Sequence, residues 1–219
     1  MASENKEFTL SVFETLSTPW VDVGIDLSEE SIDDLIDNEA LKTIPFMKTG
    51  IALCKAGIQV RDKYLLKQTL KFVTTFNNGT IPDEKLEEYR EKMCENPKWA
   101  KKEIEHILVL LDAHIDDNQS ARLAKFYQAY VKGAIDWNKF CELAEANLRI
   151  FESDFNILCE INRQGGMKND YRGSRLASVG LVNISTANVL NSTLNLDSNT
   201  YSLSVFGKTF LQHLGALKK

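Results

Sequence analysis

Four basic residues, Arg163, Lys168, Arg172 and Arg175, lie within one short stretch of the chain. A guanidinium fork matches the paired oxygens of a carboxylate or a phosphate, so this cluster points to an anionic partner, protein or nucleic acid. Its opposite lies near the other end, where eight carboxylates occur between Asp22 and Glu39 without one basic residue. Within that run Asp33, Asp34 and Asp37 are the candidate face for a basic partner. Trp99, set among lysines and glutamates, is the candidate exposed aromatic anchor, because Trp, Tyr and Arg dominate interface hot spots.

Catalytic chemistry finds less support. The three histidines are His106, His114 and His213. The first two stand eight residues apart, whereas helical metal ligands recur at three or four. Cys54, Cys94, Cys141 and Cys159 form no Cys-x-x-Cys pair, so they are expected as small buried hydrophobes in a reducing compartment. No phosphate loop, nucleophile elbow, zinc-protease motif or dinucleotide-binding glycine run occurs. The expectation is therefore a non-enzyme, with no catalytic residues, no metal, no cofactor and no small-molecule substrate.

The elements that would position these residues are mostly helices. Ser28 is a suitable cap for a short helix carrying Ile32, Leu35 and Ile36. Residues 44–58 are the most apolar stretch, read first as a core helix. With Lys48 and Lys55 on one face, an interfacial helix at a membrane surface is the alternative. Leu65, Leu66, Leu70, Val73 and Phe76 recur at helical spacing, and Asn77-Asn78-Gly79 ends that helix. Further helices are expected from Pro82 to Cys94, from Asn96 along Ile104, Ile107, Leu108, Leu111 and Ile115, and from Ser120 to Lys132. Asp136 caps the last of the series, a single helix running to about Ile161 with Phe140, Leu143, Leu148, Phe151, Phe155 and Leu158 along one side.

After Gln164-Gly165-Gly166 the pattern changes to a short helix over Tyr171–Val179, strands at Leu181–Ser185 and Tyr201–Ser204, and a closing helix from Phe206. The residues from Arg175 to Val182, and those from Tyr201 to Phe210 with Ser204 at a position where threonine is commonest, resemble the second half of a winged-helix domain. That resemblance covers about residues 165–219. It implies a recognition helix flanked by Arg172 and Arg175, a hairpin wing and a DNA-binding regulator. "IPFMKTGIALCKAGIQVRDKYLLKQTLKFV" and "LAKFYQAYVKGAIDWNKFCELAEANLRIFESDF" are similar in style to uncharacterised proteins of bacterial chromosomes and prophages, which implies a bacterial or phage setting without a mechanism.

The whole chain has 219 residues and a net charge of −5, a size that supports its own core. The charge is divided. Seven basic residues face Asp170 and Asp197 from Arg163 onward, giving +5 there, and the remaining 19 basic and 29 acidic residues give −10 for residues 1–162. An acidic body repels DNA, and residues 184–201 contain neither Lys nor Arg to neutralise phosphates. The polar opening Met1-Ala-Ser-Glu-Asn-Lys lacks the apolar core of a secretory signal, so a cytoplasmic protein is expected.

The reading is mainly α: a multi-helix bundle over 44–162, an acidic segment over 1–43, and a small α+β winged-helix-like module over 163–219. The expected action is that of an adaptor or inhibitor, through a protein partner or self-association, in bacterial or phage conflict or regulation. DNA binding by the terminal module is the alternative, and a membrane-interface role through 44–58 follows it.

Overall fold

The computed structural model describes residues 2–18, 32–55, 60–79, 81–168, 170–186 and 199–217. It is mainly helical with one small antiparallel sheet, and it divides into two compact units, Met1–Ile135 and Asp136–Lys219. The division precedes the change in charge at Arg163.

The first unit holds α1 (Ala2–Ser17), α2 (Ile32–Asp37), a 3-10 turn (Leu41–Thr43), α3 (Pro45–Lys55), α4 (Val60–Asn77), α5 (Asp83–Glu95), α6 (Pro97–Ala113) and α7 (Asp117–Val131). The first 43 residues contribute to its interior, since Phe8, Val12 and Leu16, one turn apart on α1, are buried, as are Leu35 and Ile36 on α2. Ser28, Glu29 and Glu30 lie outside the described residues. Ile44, Phe46, Met47 and Ile51 are also buried, so these apolar side chains of the 44–58 stretch lie in the interior of the unit. Phe72 and Phe76 on α4 lie nearly parallel, and both tilt against Tyr127 of α7, with ring centroids 5.5–6.3 Å apart, separations within the range of favourable aromatic pairs.

Helix α6 begins with Pro97 in its first turn and buries Ile104, Ile107, Leu108 and Leu111. Ile115, expected to extend that stripe, is exposed. The helix stops at Ala113, and His114 takes an extended backbone (φ −69°, ψ 145°). Asp116 then caps α7 by accepting the Gln119 N–H at 2.8 Å.

Polar ties join α4 to α7. The Gln128 side-chain amide donates to the Thr75 and Phe76 carbonyls, the Gln68 amide donates to Asp117, and Lys67 pairs with Asp117 at 3.1 Å. Such ties fix the register of two helices that apolar packing alone would let slide.

The second unit holds α8 (Trp137–Leu148), α9 (Glu152–Gln164), β1 (Met167–Lys168), α10 (Tyr171–Ser178), β2 (Val182–Thr186), β3 (Asn199–Leu203) and α11 (Val205–His213). Asp136 caps α8, its carboxylate accepting the Lys139 N–H. The single helix expected to Ile161 is instead two, α8 and α9. Phe151 adopts an extended backbone (φ −83°, ψ 166°), and the Asp154 carboxylate accepts its N–H at 2.8 Å, giving α9 its own start. Phe151 is thereby turned outward, 47% exposed, while Ile150 is buried.

Gly165 closes α9 at φ 81°, a conformation other residues adopt only with strain. Strand β3 runs between β1 and β2, with Tyr201 opposite both Met167 and Ile184. The two-residue β1 is too short to leave a periodic signal in sequence. Ser204 caps α11 through Gly207 N–H and donates to the Gly180 carbonyl, so one hydroxyl ties the helix to the turn after α10. Gly207 lies so close to that turn that a Cβ would stand 2.0 Å from the Leu181 carbonyl oxygen.

Cys94 is exposed, and Cys141 and Cys159 are half-buried. The expectation of buried cysteines therefore fails for these three. The Cys54 side chain lies outside the described residues.

Candidate functional site

The start of α9 and the outer face of α10 build one cluster. Asp154, fully buried, receives Arg175 side-on, with Nε donating to Oδ2 at 2.7 Å and Nη2 to Oδ1 at 2.5 Å. The Arg175 guanidinium carbon lies 4.8 Å from the centre of the Phe151 ring and 6.0 Å from that of Tyr171. Arg172 lies 5.6 Å from the Tyr171 ring and donates side-on to Asp170 at 2.9 and 2.7 Å. Hydrogen bonding from Arg172 holds the Asp170 carboxyl below its ordinary range. Tyr171 is 76% exposed.

Two guanidiniums are thus held in place by two carboxylates, and their charges cancel locally. The two rings remain open to solvent. This arrangement offers flat apolar area at little entropic cost, together with the guanidinium N–H groups not engaged by carboxylate.

Of the sequence candidates, Arg172 and Arg175 meet in this cluster. Arg163 stands exposed at the far end of α9, about 14 Å along the axis from Asp154 at 1.5 Å per residue. Lys168 is exposed on β1. Asp33, Asp34 and Asp37 belong to the other unit, on α2, where all three are exposed and Asp33 pairs with Lys63 at 2.8 Å. Trp99 is half-buried, edge-on to Tyr89, with the Lys92 ammonium 4.0 Å over its ring. Phe151, Tyr171, Asp154 and Asp170 were missed by sequence reasoning. One signal was legible, Asp170 immediately before a helix, the position of an N-terminal cap.

A groove of about 500 Å³ lies elsewhere in the same unit. Its one wall is the α8 stripe Lys139, Glu142, Glu145 and Arg149, and Val179, Gly180 and Phe206 face it. The charges on this wall pair along the helix, Lys139 with Glu142 and Arg149 with Glu145.

The first unit contains a serine–histidine pair, with His114 Nδ1 2.8 Å from Ser120 Oγ. Its polarity is set by its neighbours. The Gln68 amide nitrogen donates to Asp117, so the Gln68 carbonyl oxygen accepts from the Ser120 hydroxyl, and Ser120 Oγ in turn accepts from His114 Nδ1–H. The imidazole is thus a donor to Ser120 and cannot serve as its general base, which a nucleophilic serine requires. Both residues are also buried.

Glu103 accepts hydrogen bonds from Tyr127 and Tyr130, and Tyr127 shares a further one with Tyr89. Burial raises the Glu103 carboxyl, against the lowering effect of those phenols. Among the described residues no cluster of three His, Cys, Asp or Glu side chains could hold a metal ion, and no helix is long and apolar enough to cross a membrane. Comparison with protein-family models, with curated proteins and with solved structures finds no match to this chain.

Proposed function

We propose that the chain acts by binding another protein, as an adaptor or inhibitor, and performs no chemistry of its own. One observation carries this reading: the Phe151–Arg175–Tyr171 stack. It joins exposed aromatic area to a guanidinium already fixed in position, the residue types and rigidity that concentrate binding energy at interfaces. Its local charge is balanced by Asp154 and Asp170, which suits a protein surface better than a phosphate backbone. The wrong polarity of the Ser120–His114 pair agrees with a non-enzymatic role. A bacterial or phage setting, in conflict or regulation, rests on the resemblance of the helical segments alone.

The test is affinity capture from bacterial lysate, with and without nuclease, using the intact chain and its Tyr171→Ala variant. A stoichiometric protein that survives nuclease and is lost with Tyr171→Ala is expected. Equal recovery by both forms would remove the stack from the interface.

A second reading is a winged-helix regulator, supported by the β1-β3-β2 sheet and by α10 leading into the β2–β3 hairpin. Against it, α10 has eight residues and its two arginines are clasped by carboxylates. The wing itself, residues 187–198, lies outside the described residues. Duplex binding with a steep salt slope would favour this reading.

A further inference from the structure

The chain His114→Ser120→Gln68→Asp117 spans the turn between α6 and α7 and the contact of α7 with α4, and its direction fixes the histidine tautomer. Since Nδ1 carries the proton given to Ser120, Nε2 carries a bare lone pair. That atom is buried and has no hydrogen-bond partner, on a residue 3% exposed. A proton added there would find no acceptor, and it would place a second positive charge beside buried Arg122, whose field already opposes it.

The neighbouring charged groups are committed elsewhere. Asp117 is held by Lys67 and Gln68, and Asp116 by the Gln119 N–H. Tyr64 on α4 senses both of these carboxylates, and its phenol is raised, chiefly by burial. The imidazole can accept a proton only by leaving its site for water, and doing so breaks its bond to Ser120, which holds the turn after α6 against α7.

We propose that His114 makes the α6–α7 corner a proton-operated latch, closed at neutral pH and opened by acid. The folded imidazole titrates at about 4, below its ordinary 6.5, through burial first and Arg122 second. The open state, with an ordinary histidine, therefore binds more protons between these values, and closure weakens as pH falls through that window. From pH 7.5 to 5.0 the opening equilibrium should rise about thirtyfold.

The experiment is hydrogen exchange of the intact chain at pH 7.5 and 5.0, corrected for intrinsic exchange rates, with residues 136–219 as internal reference. Protection over 111–123 should fall about thirtyfold relative to that reference, and His114→Gln should remove most of the pH dependence. A histidine NMR titration keeps the test valid if that variant folds poorly: His114 should stay neutral, with the Nδ1–H tautomer, wherever the corner is closed. Unchanged protection at pH 5.0, or a His114 that titrates near 6.5 with protection intact, would overturn the latch.

Discussion

Arg172 and Arg175 are three residues apart in sequence, yet the structure gives them different roles. Arg172 pairs with Asp170, its near neighbour, and both side chains are half-buried; a pair two residues apart at a helix start adds little to the fold beyond its local cap. Arg175 meets Asp154, whose carboxylate is fully buried and also caps α9. Removing Arg175 leaves that carboxylate without its counter-charge. We expect Arg172→Ala to leave the unfolding midpoint nearly unchanged. Arg175→Ala should cost about 2 kcal/mol, a figure that allows for the partial exposure of its guanidinium. Denaturant titration of both variants checks this, and equal effects would contradict the assignment. Sequence spacing shows two arginines on a short helix, but it does not show that one of them reaches a residue 21 positions earlier.

At the scale of elements, starts and stops were the most legible features. Asp136 before Trp137, Asn96-Pro97 and Gly165 are local signals, and each acts through backbone groups within a few residues of itself. Asp136→Ala should destabilise the second unit by about 1 kcal/mol, the usual cost of losing an N-terminal cap, readable in a thermal melt. The break between α8 and α9 was not legible. Phe151 and Phe155 continue the apolar spacing of Phe140 and Leu148, and what interrupts it is the pull of Arg175 and of the Phe151 N–H on one carboxylate. Gly207 belongs to the same class. Its sequence neighbours suggest an ordinary helix, whereas its place is set by the Leu181 carbonyl, and Gly207→Ala should displace α11 or the turn it covers. The expected readout is loss of cooperative unfolding, or a fall in stability of about 1–3 kcal/mol from overpacking. A melt unchanged from the parent would refute the close approach.

At the scale of the whole molecule, two units meet at Ile135–Asp136 in the sequence, and each has its own buried core. Chains comprising residues 1–135 and 136–219 should each unfold cooperatively when made separately. Circular dichroism and a heat-capacity peak for each would show it, and a chain without a transition would contradict that half of the division. The net charge of residues 136–219 is +1, nine basic against eight acidic residues, and that of residues 1–135 is −6. The contrast between the units is thus smaller than the one on either side of Arg163, because α8 and α9 bring five carboxylates with them and the Asp136 cap a sixth.

The sequence by itself determined the helical class, the Asp136 cap, the late appearance of strands and the absence of familiar catalytic motifs. All of these follow from periodicity or from groups that act within one turn of the chain. Only the tertiary structure decided which carboxylate holds Arg175, which way the His114–Ser120 bond points, and that Phe151 faces solvent. Each of those depends on a partner from another element, and the energy of such a contact appears only when packing excludes water from both sides. A local pattern records that a polar or apolar residue is needed, whereas the fold chooses what it meets.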